Sequence, residues 1–417
     1  MTVVHKRARD ADIGRLRTSI DLFCGAGGLT SGLERAGWST VSVVDNDRDA
    51  LATLEATRCA VLPVSGDAAG RCHLAGAKIV EADICLLTAR DLRPDGEDAS
   101  WRPDLLAGGP PCQPFSSAGK ERGVTDPRGR LFVEFVRLAA ELRPRLILFE
   151  NVQGLVTARG PDGSPGGVLR LIQTAFEGIG YACRFELLNA ADYGAAQRRV
   201  RLLMVASSGK EVPHFPPPTH AKSATTAQLH YVEPWVSLGE LLDGLPYPDD
   251  DIVTPTGKYA SDLLSLPPGS GLKTGGIVEA NRPGGHWGYR QDAFVADPTQ
   301  PSRTIRAAST PDWIWDRHGL LRRLTWRECA ALQGFPPGWR FVGTKASLFR
   351  QIGNAVQGDV AVSVGRHLAQ SVPDNDSRQA PESPPWPPYF FKRVNYTQME
   401  HKVNGAHRQR ARLERSA

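Results

Sequence analysis

The chain has 417 residues, of which 41% are hydrophobic and 23% charged, so it is too apolar for a disordered chain and long enough for two to three domains. Its seven cysteines lack regular spacing and no apolar run approaches the roughly 20 residues of a membrane span, which argues against a secreted disulfide framework and a membrane protein. The net charge of +5 hints only weakly at an acidic partner, because residues 391–417 alone carry seven basic and two acidic side chains.

Short apolar runs alternate with helical stretches through the first half of the chain. Ser19 to Cys24 predicts a first strand, and Thr40 to Val44 predicts a second that ends at Asp45. Further strands are predicted at Ile79 to Ile84, Leu105 to Gly108, Leu146 to Glu150 and Arg201 to Ala206, with a helix at Leu131 to Leu142. This alternation predicts a doubly wound α/β fold with a largely parallel sheet.

The alternation of predicted strands and helices ends after Ser208, where proline-rich segments replace the periodic spacing of apolar residues. We expect an α/β domain in two parts, residues 19–209 and 302–372, separated by a smaller loop-rich domain at 210–301. Helical character returns at Thr325 to Leu332 and at Asn354 to Gln370. Residues 373–417 are proline-rich and then basic, which predicts a mobile tail.

A glycine-rich turn follows the first predicted strand, at Gly25-Ala26-Gly27-Gly28. Such a turn lets a ligand approach the backbone, and an acid about 20 residues later, Asp45, suits the hydroxyls of a ribose. Thr30 stands where the dinucleotide fingerprint needs glycine, which favours a smaller adenosine cofactor over a nicotinamide one. An ordinary tight turn is the alternative.

Cys112 lies just past a predicted strand within Pro110-Pro-Cys-Gln-Pro. Rigid prolines would fix the thiol in a loop where a nucleophile belongs, and the cations that follow at Lys120 and Arg122 would favour the thiolate. A buried, unreactive cysteine is the alternative.

Two charged motifs accompany the next strands. Glu150 ends a strong apolar run, and at the carboxyl edge of a sheet it could hydrogen-bond or protonate a ring nitrogen. Arg199 and Arg201 alternate along the start of another strand, so both should lie on one face, where guanidinium groups suit phosphate or carbonyl recognition. A solvated strand end and a solvated basic patch are the alternatives.

Taken in order, these motifs resemble the DNA cytosine-5 methyltransferase family of the compact bacterial type. The resemblance covers about residues 19–370. Its motifs are Asp21-Leu-Phe-Cys-Gly-Ala-Gly-Gly, Asp45, Ala82-Asp83-Ile84, Pro110-Pro-Cys-Gln-Pro-Phe-Ser, Glu150-Asn-Val, Gln197-x-Arg-x-Arg, Arg303-Thr-Ile and Gln351-Ile-Gly-Asn-Ala-Val. It implies a Rossmann-like methyltransferase domain with a smaller target-recognition domain at 210–301.

The resemblance also implies roles for individual residues. S-adenosyl-L-methionine is the expected cofactor, and its expected contacts are Phe23, Gly25, Gly27, Asp45, Asn46, Asp83, Ile84, Asn354 and Val356. Asn46 stands where relatives often place an aromatic side chain. Cys112 is the expected nucleophile toward C6 of a flipped-out cytosine, assisted by Glu150, Arg199 and Arg201. DNA contacts are expected from Gln113, Ser116, Arg282, His286 and Arg290.

The predicted enzyme is a monomer that acts on double-stranded DNA in the cytoplasm, associated with the nucleoid through that DNA. It needs no metal and no membrane, and a cognate restriction endonuclease could be its partner. Three alternatives stay open: a methyltransferase acting on transfer RNA, a DNA-binding protein that has lost catalysis, and a nicotinamide dehydrogenase. Intact Cys112 and Glu150 argue against the second, and Thr30 argues against the third.

Overall fold

The computed structural model describes residues 17–64, 67–111, 127–222, 231–248, 250–272, 278, 293–308, 310–373 and 382–395. Its strands are β1 (Thr18–Leu22), β2 (Ser39–Asp45), β3 (Val61–Val64), β4 (Asp67–Cys72), β5 (Lys78–Glu81), β6 (Leu105–Gly108), β7 (Leu146–Val152), β8 (Ala182–Asn189), β9 (Val200–Ser207), β10 (His220–Ala221), β11 (Glu233–Pro234), β12 (Ser270–Gly271), β13 (Phe294–Val295), β14 (Trp313–Trp315) and β15 (Leu321–Arg323). Its α-helices are α1 (Gly28–Arg35), α2 (Arg48–Thr57), α3 (Ala89–Leu92), α4 (Pro127–Leu142), α5 (Gly167–Glu177), α6 (Leu238–Asp243), α7 (Ala260–Leu264), α8 (Trp326–Leu332), α9 (Lys345–Asn354), α10 (Gly358–Ala369) and α11 (residues 388–395).

A seven-stranded sheet forms the centre of the fold, in the order β5-β2-β1-β6-β7-β9-β8. The pairs from β5 to β7 are parallel, whereas β9 runs antiparallel to both of its neighbours. The strand order reverses between β1 and β6, and ligands of open α/β sheets bind at such a switch point, outside the carboxyl ends of the strands. The predicted doubly wound α/β fold is confirmed.

Helices cover both faces of this sheet because successive strand residues point to opposite sides. On one face, Leu106 and Ile147 pack against α4 and α5. On the other face, Leu105 and Leu146 pack with residues of α1 and α10. Four phenylalanine rings, contributed by α4, β7 and α5, meet edge to face at the centre of the first core (Phe132, Phe135, Phe149 and Phe176).

One prediction about secondary structure needs correction, and the sequence pattern does not indicate β3, β4 or β8. Charged residues interrupt the apolar positions of β8. The helix predicted from Asn354 is two helices: α9 ends at Asn354 and α10 begins at Gly358. Gln357 separates them, since its side chain accepts hydrogen bonds from the backbone of Asp359 and Val360 and so caps the second helix.

The smaller sheet extends past the predicted domain boundary at Pro301. Its four strands run in the order β12-β13-β14-β15, and the last two follow that boundary in the chain. A separate apolar cluster joins both sides, with Leu263 and Val295 packing with Trp313 and Leu321. The loop-rich region therefore shares its sheet and core with residues up to about 323.

The prediction of a mobile tail at 373–417 is wrong for residues 382–395. Phe390 is fully buried in the main core. Strand β8 lies at the edge of the sheet, and its backbone amides at Cys183 and Leu187 donate to Ser383 Oγ (2.9 Å) and Tyr389 Oη (3.0 Å). Sequence composition missed this docking, because aromatic residues scattered among prolines show no periodicity.

Within the described part of the chain, every helix is too short or too polar to cross a lipid bilayer.

We expect Phe390→Ala to lower the free energy of unfolding by about 3 kcal/mol, because it empties a filled site in the core. The adjacent Phe391 is a matched control, since its side chain is 51% exposed whereas Phe390 is 0% exposed. Phe391→Ala should change stability by less than about 1 kcal/mol. Urea unfolding of the full chain measures both values, and equal losses would show that the segment is not held through Phe390.

Candidate active site

The predicted site residues that the structure describes gather at the carboxyl edge of the main sheet. Asp45 ends β2, Glu150 lies near the end of β7, and the glycine-rich turn follows β1. Asp83 follows β5, whose last residue pairs with Asp45. These strand ends flank the switch point, at the carboxyl edge of the sheet where the sequence analysis places Glu150.

The turn after β1 has an unusual backbone. Phe23 has φ of 60°, a left-handed conformation that is uncommon outside glycine and often marks a functional site. Gly25 and Gly27 also have positive φ, at 51° and 86°. A Cβ on Gly25 would meet no atom within 4 Å, whereas one on Gly27 would lie 2.6 Å from Leu54. Gly25 therefore faces open space and Gly27 faces the core.

Asp45 organises this turn through backbone amides. Its Oδ2 accepts from Gly25 N (2.8 Å), and its Oδ1 accepts from the amides of Asn46 (2.8 Å) and Asp47 (2.9 Å). A carboxylate with two oxygens still has acceptor capacity left for a ligand hydroxyl. Asn46 itself is exposed beside it.

Asp83 is exposed, and it accepts from the backbone of Cys85 (2.9 Å) at the start of a short 3-10 helix, Ile84–Leu86. This hydrogen bond holds the pKa of Asp83 below its usual value. The carboxylate is therefore ionised and available as an acceptor at neutral pH, while Ile84 is buried beneath it.

Asp21, to which sequence reasoning gave no role, is the most unusual acid at this edge. It is buried on β1, and its Oδ2 accepts from Thr30 Oγ1 at 2.5 Å. Its Oδ1 is buried without a hydrogen-bond partner. Burial raises the pKa of Asp21 to about 7, against the lowering effect of Thr30, and the nearby charge of Asp45 adds to the rise. An acid at the end of a buried apolar run was the available signal.

The segment between α9 and α10 returns to this turn, as predicted for Val356. A Cβ on Gly28 would lie 2.6 Å from Val356 O and 2.9 Å from the Ala355 side chain. Glycine at position 28 therefore lets the two segments touch. Asn354 is exposed at the end of α9.

Glu150 and Arg201 form an ion pair across neighbouring antiparallel strands, with Arg201 Nε 3.1 Å from Glu150 Oε1. Burial raises the pKa of Glu150, and the charges of Arg201 and Arg199 oppose the rise. The structure thus brings three predicted catalytic residues together, and it places a carboxyl whose pKa is raised by burial beside a fixed positive charge.

Asn151, next to Glu150, connects this acid to the loop that leads to Cys112. Its Nδ2 donates to Pro110 O at 3.1 Å, and its Oδ1 accepts from the backbone of Val152 at 2.9 Å. Because Pro110 is two residues before Cys112, this hydrogen bond fixes the start of the predicted nucleophile loop. Sequence reasoning did not identify this contact.

The residues of the Gln197-x-Arg-x-Arg motif make different contacts. Gln197 accepts from Ile305 N (2.9 Å) and donates to Leu332 O (2.9 Å). Arg199 is buried and donates to three carbonyl oxygens, those of Ile305 (2.9 Å), Gly353 (3.0 Å) and Ala355 (2.9 Å). Burial lowers the pKa of Arg199 to about 9, and the nearby Arg201 contributes.

These contacts correct the role predicted for Arg199. A guanidinium that donates to three backbone carbonyls holds the chain in position, so Arg199 supports the site instead of contacting a substrate. Arg201, whose Nε faces Glu150, remains the arginine of this motif that is suited to substrate contact.

A cleft of about 320 Å³ lies on the other side of the same motif. Arg198, Lys222 and Arg303 contribute positive charge to its lining, and Asp297 contributes one carboxylate. Arg303 also pairs with Asp312 (3.5 Å) and lies over the Phe294 ring (4.0 Å). The cleft lies between residues of the main domain and strand β13, and its lining has more basic than acidic side chains.

Six predicted site residues lie outside the described residues: Cys112, Gln113, Ser116, Arg282, His286 and Arg290. Among the residues that are described, no three histidine, cysteine, aspartate or glutamate side chains converge to form a metal site.

Comparisons with known proteins agree with this geometry. The profile of the C-5 cytosine-specific DNA methylase family matches residues 17–370. Type II methyltransferase M.NgoMIV of Neisseria gonorrhoeae is 32% identical over 362 residues, which cover 85% of this chain and 98% of that protein. M.SacI of Streptomyces achromogenes is 31% identical over 381 residues, covering 86% and 94%.

Among solved structures, the methyltransferase EhMeth of Entamoeba histolytica superimposes with a TM-score of 0.59 at 14% identity, over 86% of this chain and all of that one (100%), which shows a shared fold. The family match extends over most of the chain, including each motif at the carboxyl edge of the sheet. The chain therefore belongs to the C-5 cytosine-specific DNA methylase family and is a methyltransferase of that family.

Proposed function

We propose that this enzyme methylates C5 of a cytosine within a specific site of duplex DNA, with S-adenosyl-L-methionine as methyl donor. The observation that carries the proposal is the partly buried Glu150, which lies 3.1 Å from Arg201 and is joined through Asn151 to the loop that precedes Cys112. A carboxyl with a raised pKa and a fixed guanidinium suit the polar edge of a cytosine ring.

The residues around the glycine-rich turn fit the cofactor. Asp21 Oδ1 is a buried acceptor without a partner, which matches the positively charged methionine end. Asp45 suits the ribose hydroxyls and Asp83 the adenine amino group, with Phe23, Gly25 and Ile84 alongside. Bound here, S-adenosyl-L-methionine would supply an electrophilic methyl group.

Cytosine C5 is a weak nucleophile while the ring is aromatic. We infer that Cys112 adds through its sulfur to C6, which gives C5 enamine character and allows it to accept a methyl group. A base then removes the C5 proton, and β-elimination releases Cys112. The ring edge is inaccessible in a stacked duplex, so the base must leave the helix.

Glu150 and Arg201 stabilise the charge that develops during this attack. Burial raises the pKa of Glu150 and so makes protonation of its carboxyl easier. Once protonated, the carboxyl can donate to N3, while its other oxygen can accept from the exocyclic amine. Arg201 can donate to O2 of the same ring. Arg199 holds the strand that carries Arg201, through its three carbonyl contacts.

We propose that the loop-rich region around 210–301 reads the DNA sequence, while the cleft at Arg198, Lys222 and Arg303 binds phosphates. Arg282, His286 and Arg290 remain proposed base contacts, and Gln113 and Ser116 remain proposed contacts near the flipped base. Relatives named type II methyltransferases support a role in restriction-modification, with a cognate endonuclease as partner.

The central test is transfer of a tritiated methyl group to duplex DNA. We expect activity from the wild type, none from Cys112→Ala because no adduct can form, and a loss of about 10²- to 10³-fold from Glu150→Gln. Glu55→Gln, which changes an exposed carboxylate on α2, should retain full activity. Methylation of transfer RNA instead of DNA, or full activity of Cys112→Ala, would contradict the proposal.

Asp21 should make cofactor binding pH-dependent. Because its pKa is raised to about 7, the carboxyl is mostly neutral at pH 6 and mostly ionised at pH 8. Affinity for S-adenosyl-L-methionine should therefore rise by about tenfold between these pH values. Calorimetric titration measures it, and Asp21→Asn should remove the dependence. If the affinity of the wild type for S-adenosyl-L-methionine did not change with pH, Asp21 would not contact the positively charged end of the cofactor.

Lys222→Ala should weaken binding to duplex DNA of any sequence. Losing one phosphate contact should lower the slope of log affinity against log salt concentration by about one unit. Lys345→Ala is the matched control, since Lys345 pairs with Asp251 (2.8 Å) and lies outside the cleft. Fluorescence anisotropy over a salt series measures both slopes. Equal slopes for wild type and Lys222→Ala would show that Lys222 does not contact the DNA phosphates.

A further inference from the structure

Cys59 occupies a backbone position that favours glycine. It follows α2 in a turn closed by a hydrogen bond from Ala60 N to Thr57 O (2.9 Å), and its φ is 62°. With Arg58 at φ −52° and ψ 136°, this is a type II turn whose third residue normally is glycine or asparagine. A cysteine is therefore held in a strained conformation, and such strain is concentrated at functional positions.

The same turn begins the β3–β4 hairpin with a bulge. Cys59 N donates to His73 O (2.9 Å), and His73 N donates to Ala60 O (2.9 Å). Cys59 and Ala60 therefore both lie opposite His73, which is the pattern of a β-bulge. Val61 pairs with Cys72 two residues further on. Cys59, in the turn before β3, and Cys72, at the end of β4, are therefore diagonal neighbours across the two chain segments.

The two thiols meet at the surface. The interaction with the Cys59 side chain is the largest cause of a raised pKa at the Cys72 thiol, so the two side chains lie close together, and Cys59 is exposed while Cys72 is partly exposed. An exposed thiol beside a second thiol is the arrangement from which disulfides form.

We propose that Cys59 and Cys72 are a site of reversible oxidation that forms a disulfide when the protein meets a peroxide. The Cys59 thiolate attacks one peroxide oxygen, the O–O bond breaks, and Cys59 becomes a sulfenic acid as hydroxide leaves and takes up a proton. Cys72 sulfur then displaces the sulfenic hydroxyl as water and forms the S–S bond. Two thiols are oxidised and one hydrogen peroxide is reduced to two waters, and cellular thiols reverse the bond.

The disulfide would restrain the base of the glycine-rich turn. Cys72 precedes His73, whose buried ring contacts Glu34 of α1 (2.5 Å) and lies 4.8 Å from the Trp339 ring. Trp339 in turn donates to Ala26 O (3.2 Å) within the turn. A covalent link between residues 59 and 72 removes conformations from the unfolded chain, so oxidation should stabilise this region.

The test treats the full-length wild type with hydrogen peroxide, blocks the remaining thiols, and maps peptides by mass spectrometry without reduction. We expect a linked peptide pair containing Cys59 and Cys72, a melting temperature raised by a few degrees, and reversal of both by dithiothreitol. Cys59 recovered as a sulfinic acid, or Cys72 joined to another cysteine, would overturn the proposal.

Three variants separate this site from the catalytic cysteine. Cys59→Gly removes the thiol and suits the positive φ, so it should fold at least as stably as the reduced wild type while Cys72 stays alkylatable after peroxide. Cys85→Ser, which changes a partly exposed thiol elsewhere, should keep the linked pair. Cys112→Ala should keep it too, and loss of the link in that variant would overturn the proposal.

Discussion

A buried guanidinium, Arg199, joins the two halves of the catalytic domain at the active-site edge. Arg199 lies just before β9 in the first half, and it donates to carbonyl oxygens of Ile305, Gly353 and Ala355 in the second. Gln197 adds contacts to Ile305 and Leu332. Because a long loop-rich insertion separates these halves in sequence, their register depends on such contacts. The position of Arg201, and with it the charge beside Glu150, depends on the same anchor.

The carboxyl edge of the sheet carries one buried and one partly buried acid, with different surroundings. Glu150 has Arg201 beside it, whereas Asp21 has the Thr30 hydroxyl and an unpartnered oxygen. Burial raises the pKa of both, to about 7 in the case of Asp21. Glu150 faces the proposed base site, and Asp21 faces the proposed methyl donor. Proton exchange and cation binding would therefore use different acids on the same edge of the sheet.

Local sequence patterns predicted the carboxyl edge of the sheet well, because strand ends and glycine-rich turns can be recognised from a few neighbouring residues. The runs at β1, β2, β6 and β7 located Asp45 and Glu150 correctly at strand ends. The rest depends on partners distant in the chain. Nothing near Arg199 shows that its hydrogen bonds are taken by carbonyls over a hundred residues away, and nothing near Pro301 shows that β13 pairs with β14 beyond it. The oxygen of Asp21 that lacks a partner is likewise a property of packing.

The docked segment at 382–395 lies beyond the family match, which ends at residue 370. Strand β8 is an edge strand, and its amides at Cys183 and Leu187 are occupied by Ser383 and Tyr389. Uncovered edge amides can pair with strands of other molecules, and this segment covers two of them. A chain trimmed to the shared family region would expose those amides and empty the core site of Phe390, so lower stability and aggregation are its expected consequences.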